Sequence, residues 1–276
     1  MKKASILFCV SFCSLLLVNC RSGLVTMTNG CTKTIEAGKA DNQAGNYSAA
    51  VDQFDQVLKK CDAYDAKEQA NAGKAEAYNG LKQYSDALAA ANEGLKVNKT
   101  SVDNLFQKAN AELGLKMNAD AKADFSQIID LTQKNRNTKD RATIYAKIAE
   151  IDLKQNMYSD AMNNVETAIS TDNTNADFYI LKGDIYTAQN DYKNASSAYD
   201  QAISYGASNT KAWNAKIEAE VNFYQQKYST GSNAADLAGK MSAADKKALC
   251  SDISKARSNG VKNANLDLLR ASICKQ

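Results

Sequence analysis

Along most of the chain, apolar residues fall at the spacing of helices that bury one face, and the pattern breaks at short polar stretches that resemble one another. Asn46-Tyr47-Ser48-Ala49-Ala50, Gln83-Tyr84-Ser85-Asp86-Ala87, Met157-Tyr158-Ser159-Asp160-Ala161 and Asp191-Tyr192-Lys193-Asn194-Ala195 each follow one helical pattern and open another. Tyr84 lies 37 residues after Tyr47, and Tyr192 lies 34 after Tyr158. A self-similar unit of this length predicts stacked helical hairpins, because a single hairpin cannot bury its apolar face alone. Such a scaffold works by binding, and nothing in the pattern names what it binds.

Beyond the last of these units, Lys211-Ala212-Trp213-Asn214 begins a further helix that runs to about Tyr228. Ser229 to Lys240 is rich in Ser, Gly, Asn and Ala and reads as a loop. Ser242-Ala243-Ala244-Asp245 has the form of a helix start with an acid at the third position, and two closing helices follow, broken at Ser258-Asn259-Gly260. The expected organisation is a leader at 1–20, a tether at 21–30 and five repeats over 31–209. A capping helix at 210–228, a loop at 229–241 and a closing helical hairpin at 242–276 complete it.

The first twenty residues differ from the rest. Lys2 and Lys3 precede an uncharged, mostly apolar run from Ala4 to Val18, which is short for a membrane span and has the layout of an export signal. Leu17-Val18-Asn19-Cys20 is similar to a bacterial lipobox, whose cysteine becomes the lipidated first residue of the mature protein. Asn19 departs from the usual Gly, Ala or Ser, and ordinary cleavage near Ser22-Gly23 is the competing outcome. The expectation is lipidation at Cys20, an anchor on the periplasmic side of a bacterial envelope, and the outer membrane as the favoured address.

Composition narrows the chemistry. The chain has no His and no Pro among its 276 residues, so the commonest general base and metal ligand are missing. Lys and Arg number 34 against 31 acids, and loss of Lys2 and Lys3 with the leader brings the balance near neutrality. Nothing in that balance would draw in nucleic acid or an anionic membrane surface.

The 34-residue unit resembles the tetratricopeptide repeat. The best window starts at Ala176, with Tyr179, Gly183, Tyr186, Tyr192, Ala195, Tyr199 and Ala202 in the repeat's slots 4, 8, 11, 17, 20, 24 and 27. The window from Cys31 gives Gly38, Gly45, Tyr47, Ala50 and Phe54. Glu68 opens Ala75, Tyr78, Tyr84, Ala87 and Leu95, and Val102 opens Leu105, Ala109, Ala121, Phe125 and Ile128. Ala142 opens Tyr145, Ile148, Ala149, Tyr158, Ala161 and Ala168, after an insertion at 136–141. The proline usual at slot 32 is absent, and Lys99-Thr100-Ser101 and Asn173-Thr174-Asn175 punctuate instead. Ser48, Ser85 and Ser159 stand where a hydroxyl could cap the second helix of a repeat. The resemblance implies an all-α, right-handed superhelical solenoid of helix hairpins with a C-terminal helical cap.

Four cysteines remain outside the leader and the lipobox. The midpoint of Cys31 and Cys61 is Asn46, at the predicted turn of repeat one, and that of Cys250 and Cys274 is Lys262, just past the Asn259-Gly260 break. Residues equidistant from a hairpin turn sit side by side, so of the three connectivities 31–61 with 250–274 is expected; four buried free thiols are the alternative. A zinc site is not expected, since there is no Cys-x-x-Cys and no His. Asp172-Asn173-Thr174-Asn175-Ala176-Asp177 lacks the Gly and the bidentate Glu of a calcium loop and reads as a turn. No catalytic residue, metal or cofactor is predicted, and an enzyme is not expected.

By the resemblance, helix A slots 2, 5, 9, 12 and 13 line a concave groove. They give Lys39, Asn42 and Gln43 in repeat one, Glu76 and Asn79 in repeat two, and Phe106 and Asn110 in repeat three. Glu150 and Lys154 come from repeat four, and Asp184 and Thr187 from repeat five. The family's clamp for C-terminal carboxylates is missing, with Ile35, Ala72 and Gly73 at its positions. The expected function is a membrane-anchored scaffold holding a protein or extended peptide in an envelope assembly. The alternative is a periplasmic binder of small ligands or glycans that feeds an uptake system.

Overall fold

The computed structural model describes residues 27–134, 138–206, 210–262 and 264–274. The leader, Cys20 and most of the tether lie outside these residues, as does part of the insertion at 136–141. Fourteen helices are described and, among the described residues, no strand.

Five hairpins follow in order. They are α1 (Asn29–Ala44) with α2 (Tyr47–Lys60), α3 (Tyr64–Gly80) with α4 (Tyr84–Val97), and α5 (Val102–Gly114) with α6 (Asn118–Thr132). Then come α7 (Thr138–Lys154) with α8 (Tyr158–Thr171) and α9 (Ala176–Ala188) with α10 (Tyr192–Tyr205). Each helix packs on its neighbours in sequence, and the odd-numbered helices also pack on one another, α1 on α3, α3 on α5 and α7 on α9. That is the solenoid of helix hairpins. Helices α3 and α7 run to 17 residues, against 13 for α5 and α9.

Every hairpin turn is closed by one residue in the left-handed region: Gly45 (φ 78°), Lys82 (60°), Lys116 (63°), Asn156 (59°) and Asn190 (60°). The next amide then reaches back to the carbonyl five positions earlier, as in Gln83 N–H to Tyr78 O at 2.9 Å and Met117 N–H to Glu112 O at 2.8 Å. This turn corrects the capping expectation. The second helices begin at the tyrosine, so Ser48, Ser85 and Ser159 already stand inside the first turn, and α2, α4 and α8 have no side-chain cap. Asp86 of α4, Asp120 of α6 and Asp160 of α8 place a carboxylate near the free amides of their own first turns instead, whereas α2 has no acid there. Of the first helices, α1, α5 and α9 do use capping side chains, Thr28, Ser101 and Asn175, whereas α3 follows Ala63 and has none.

Between helices, small residues admit large ones. Phe54 of α2 is fully buried against Gly38 of α1 and Gly73 of α3, and Tyr199 of α10 lies on Gly183 of α9. An ideal Cβ at Gly73 would stand 2.2 Å from Phe54 Cζ, and one at Gly183 would stand 2.3 Å from Tyr199 Cε1. Buried charge is paired: Lys108 with Glu112 (3.0 Å) and Asp124 (2.5 Å), and Lys122 with the wholly buried Asp152 (2.6 Å).

After repeat five, α11 (Thr210–Lys227) packs on α10 and carries Trp213 into the closing core with Ile217, Leu249 and Ile253. The expected loop at 229–241 is partly wrong. Ala234–Lys240 forms a helix, α12, capped by Asn233, because Leu237 and Ala238 bury into that same core. Seven residues would not hold a helix alone; tertiary burial decides it. Next come α13 (Ala243–Ser258), capped by Ser242, and α14 (Ala264–Ile273).

Lys216 of α11 ties this end to the repeats. Buried to 5% exposure, it meets Asp200 of α10 at 2.7 Å, Asp252 of α13 at 2.7 Å and Glu220 of its own helix at 3.5 Å. Cys31 is bonded to Cys61 and Cys250 to Cys274, so a disulfide lies at each end of the described fold. No described helix is long and apolar enough to cross a membrane.

Candidate partner-binding groove

The odd-numbered helices line one face, and four clefts lie along it. Lys39 and Gln43 of α1, Gln69 and Glu76 of α3, and Asp103 and Phe106 of α5 surround a cleft of 230 Å³. Four residues predicted for the groove therefore converge here. Lys39 Nζ donates to Gln69 Oε1 at 2.9 Å, which spreads its charge across the α1–α3 boundary.

A second cleft of 440 Å³ shares Asp103 and Phe106 with the first and runs to Ile144 of α7, over Ile128 of α6. It opens where α5 and α7 splay rather than pack as α3 and α5 do. Arg141 fixes the lip of this cleft by donating to the last-turn carbonyl of Thr132 at 2.7 Å. Phe106 is held edge-on to the buried Phe125, with ring centroids 6.0 Å apart.

Further along, Glu150, Leu153 and Lys154 of α7, Asp177, Leu181 and Asp184 of α9, and Lys211 of α11 line 410 Å³. Glu150 is braced by Lys147 at 3.2 Å, whereas Lys154 is exposed. A fourth cleft, of 420 Å³, lies between α11, the start of α12 and α14.

The remaining predicted groove residues are used differently. Asn42 is buried to 5% exposure, and its Nδ2 donates to Gly73 O at 2.8 Å and Glu76 Oε2 at 3.1 Å. Asn79 repeats this one unit on, donating to Gln107 O at 2.9 Å and Gln107 Oε1 at 3.1 Å. Both are struts between successive first helices rather than partner-facing groups, because α1, α3 and α5 approach closely enough for one amide to span the gap. Thr187 also turns inward, its Oγ1 3.2 Å from Tyr199 Oη. Asp184 lines the third cleft and accepts from the same Tyr199 hydroxyl at 2.8 Å; burial raises its carboxyl above the usual range. Asn110 is half-buried and lines none of the four clefts.

Sequence reasoning missed Asp103, Arg141, Asp177 and Lys211, and the whole fourth cleft. Asp103 and Asp177 occupy slot 2, which the concave-face rule itself marks. The splay of α7 and the closure by α14 leave no local signal.

The clefts share a chemistry. They combine apolar floors with carboxylates and a few cations, and among the described residues that line them Phe106 is the sole aromatic. Among the described residues, no group of acids and cysteines could hold a metal ion. The arrangement suits contact with a polypeptide surface.

The comparisons agree with this geometry. The chain belongs to the tetratricopeptide repeat-like domain family, whose profile matches residues 37–222. Among solved structures, PilF of Pseudomonas aeruginosa superimposes with a TM-score of 0.64 at 13% identity, covering 87% of this chain and 96% of that one. A tetratricopeptide repeat protein from Parabacteroides merdae gives 0.57 at 12% identity, over 90% and 100% of the two chains. MamA from Desulfovibrio magneticus gives 0.53 at 16%, over 70% and 94%. At these identities the likeness concerns the fold alone. No curated protein matches the chain. The fold is that of a helical-repeat scaffold, a class suited to protein–protein interaction.

Proposed function

We propose that this protein is an exported scaffold, held at a bacterial membrane through lipid on Cys20, that binds a protein or extended peptide partner along its concave face. The observation that carries the reading is the run of clefts from α1 to α11, lined by Lys39, Gln43, Glu76, Phe106, Glu150 and Lys154, side chains that lie at the surface of the fold or are only half-buried in it. The two disulfides support an oxidising compartment, and the leader supports export. A machine of the cell envelope, such as one for barrel insertion, pilus or secretion assembly, or wall remodelling, is the setting that suits an anchored scaffold. The lining favours a polypeptide over a glycan, for which stacked exposed aromatics would be expected.

Crosslinking in living cells tests this, followed by solubilisation of the membranes and identification of the captured protein. One abundant envelope protein, lost when Glu150 and Lys154 are changed together while the helical circular dichroism signal stays intact, is the expected result. Capture of no protein despite full recovery of the bait would overturn the partner-binding reading. Capture that is unaffected by the double change would overturn the groove assignment.

A further inference from the structure

The concave face continues past repeat five. Helix α11 extends the series of first helices, and α14 folds across its far end, so the fourth cleft is walled where an ordinary repeat groove would run out. Two features give that end a chemistry of its own. Leu268 is 65% exposed and, with Leu269, forms an apolar rim on α14. Opposite stands Glu218, the one charged side chain among the cleft's lining residues, which forms no ion pair among the described residues. The side-chain amides of Asn222 and Gln225 lie beside it and hydrogen-bond to no described residue. Asp184, in the adjoining cleft, feels the Lys211 cation first and the Glu150 and Glu218 charges after it. The charge that lines this cleft, among the described residues, is therefore negative.

We propose that the α11–α14 cleft receives a lysine or arginine side chain from an extended segment of the partner polypeptide. The aliphatic stem lies along Leu268 and Leu269, and the cation reaches Glu218. Long basic side chains have this division into an apolar stem and a charged head. Asn222 and Gln225 supply donors and acceptors for the segment's main chain. An acidic side chain would meet Glu218 with like charge, and an aliphatic one would leave the carboxylate uncompensated on binding. The proposal rests on the concave-face reading above and names what one end of it selects.

The test uses the purified protein with both disulfides formed, ¹⁵N-labelled, and three capped peptides, acetyl-Gly-Ser-X-Ser-Gly-amide with X lysine, norleucine or glutamate. Side-chain amide signals of Asn222 and Gln225 are followed during titration into the millimolar range. The lysine peptide is expected to shift them saturably, the norleucine peptide to bind about threefold more weakly, as a half-exposed ion pair allows, and the glutamate peptide not to bind. Glu218→Gln should erase the lysine preference, and Leu268→Lys, at an exposed site that tolerates the change, should abolish binding. Equal affinity for lysine and norleucine overturns the proposal, as does a lysine response confined to the Glu150–Asp184 cleft, or no saturable response. If the captured partner is lost on changing Glu150 and Lys154 but kept with Glu218→Gln and Leu268→Lys, the groove reading stands and this one falls.

Discussion

Replacing Gly73 by alanine should destabilise the protein, although alanine is the better helix former. Gly73 lies inside α3, where the exchange by itself is worth about 1 kcal/mol in alanine's favour. Against it stands the Phe54 ring: the new Cβ would lie 2.2 Å from Cζ and 2.6 Å from Cε1. The ring cannot retreat, because Gly38 holds its other side, where a Cβ would already be 2.8 Å from Cζ, and Phe54 is fully buried. Overpacking of this kind costs about 1–3 kcal/mol, so after alanine's helix gain the net loss should be roughly 0–2 kcal/mol. In a Phe54→Leu background the clash is gone, and Gly73→Ala should become neutral or stabilising by up to about 1 kcal/mol. Urea unfolding of the four proteins in the cycle, followed by far-UV circular dichroism with the denaturant slope held constant, yields the coupling between the two sites. A coupling of about 2 kcal/mol is expected. If Gly73→Ala stabilises the parent protein, or the coupling lies within about 0.5 kcal/mol of zero, then the ring is not the reason glycine stands there.

Three further predictions concern charge and crosslinks. Burial, ahead of the neighbouring charges, raises the carboxyls of Glu112 and Glu220 to about 7 from 4.5, so between those values the folded protein holds protons that the unfolded chain has released. Stability should therefore fall as pH rises from about 4.5 to 7, by roughly 1–3 kcal/mol per glutamate, and Glu112→Gln and Glu220→Gln should flatten urea midpoints across that window. The depressed carboxyl of Asp252 titrates below this range and does not reverse the slope. Lys216→Met should cost about 1–3 kcal/mol, because Asp200 and Asp252 lose their shared buried cation while Asp252 keeps Lys255 at 2.8 Å, and hydrogen exchange should show α11 to α14 opening before the repeats. Replacing both Cys250 and Cys274 by serine should remove about 3.4 kcal/mol from that closing unit, the loop-entropy value for a separation of 24 residues; an unchanged thermal midpoint would refute that value.

How far the fold could be read in advance depended on whether a residue's role was local. The tyrosines at 47, 84, 158 and 192 mark the turns because each opens a second helix, and the small residues at Gly38, Ala87, Ala161 and Gly183 mark helix contacts because every repeat solves the same packing problem. The cysteine midpoints found both hairpins for the same reason: position along two antiparallel helices is a count along the chain. Lys82 and Lys116 in the left-handed region gave no such signal, since lysine has no preference for it and only the repeat's closing hydrogen bonds hold it there. Asn42 and Asn79 were placed on the right helix face, yet whether an amide meets a partner or the next helix depends on the distance between α1, α3 and α5.

The sequence by itself therefore determined the repeat and its hairpin order, because periodic burial is written residue by residue. Tertiary structure alone decided the helix at Ala234–Lys240, the Lys216 cluster that joins cap to repeats, and the division of the concave face into clefts. Each depends on groups far apart in the chain meeting at ångström range, and neither hydrophobic period nor spacing carries that distance.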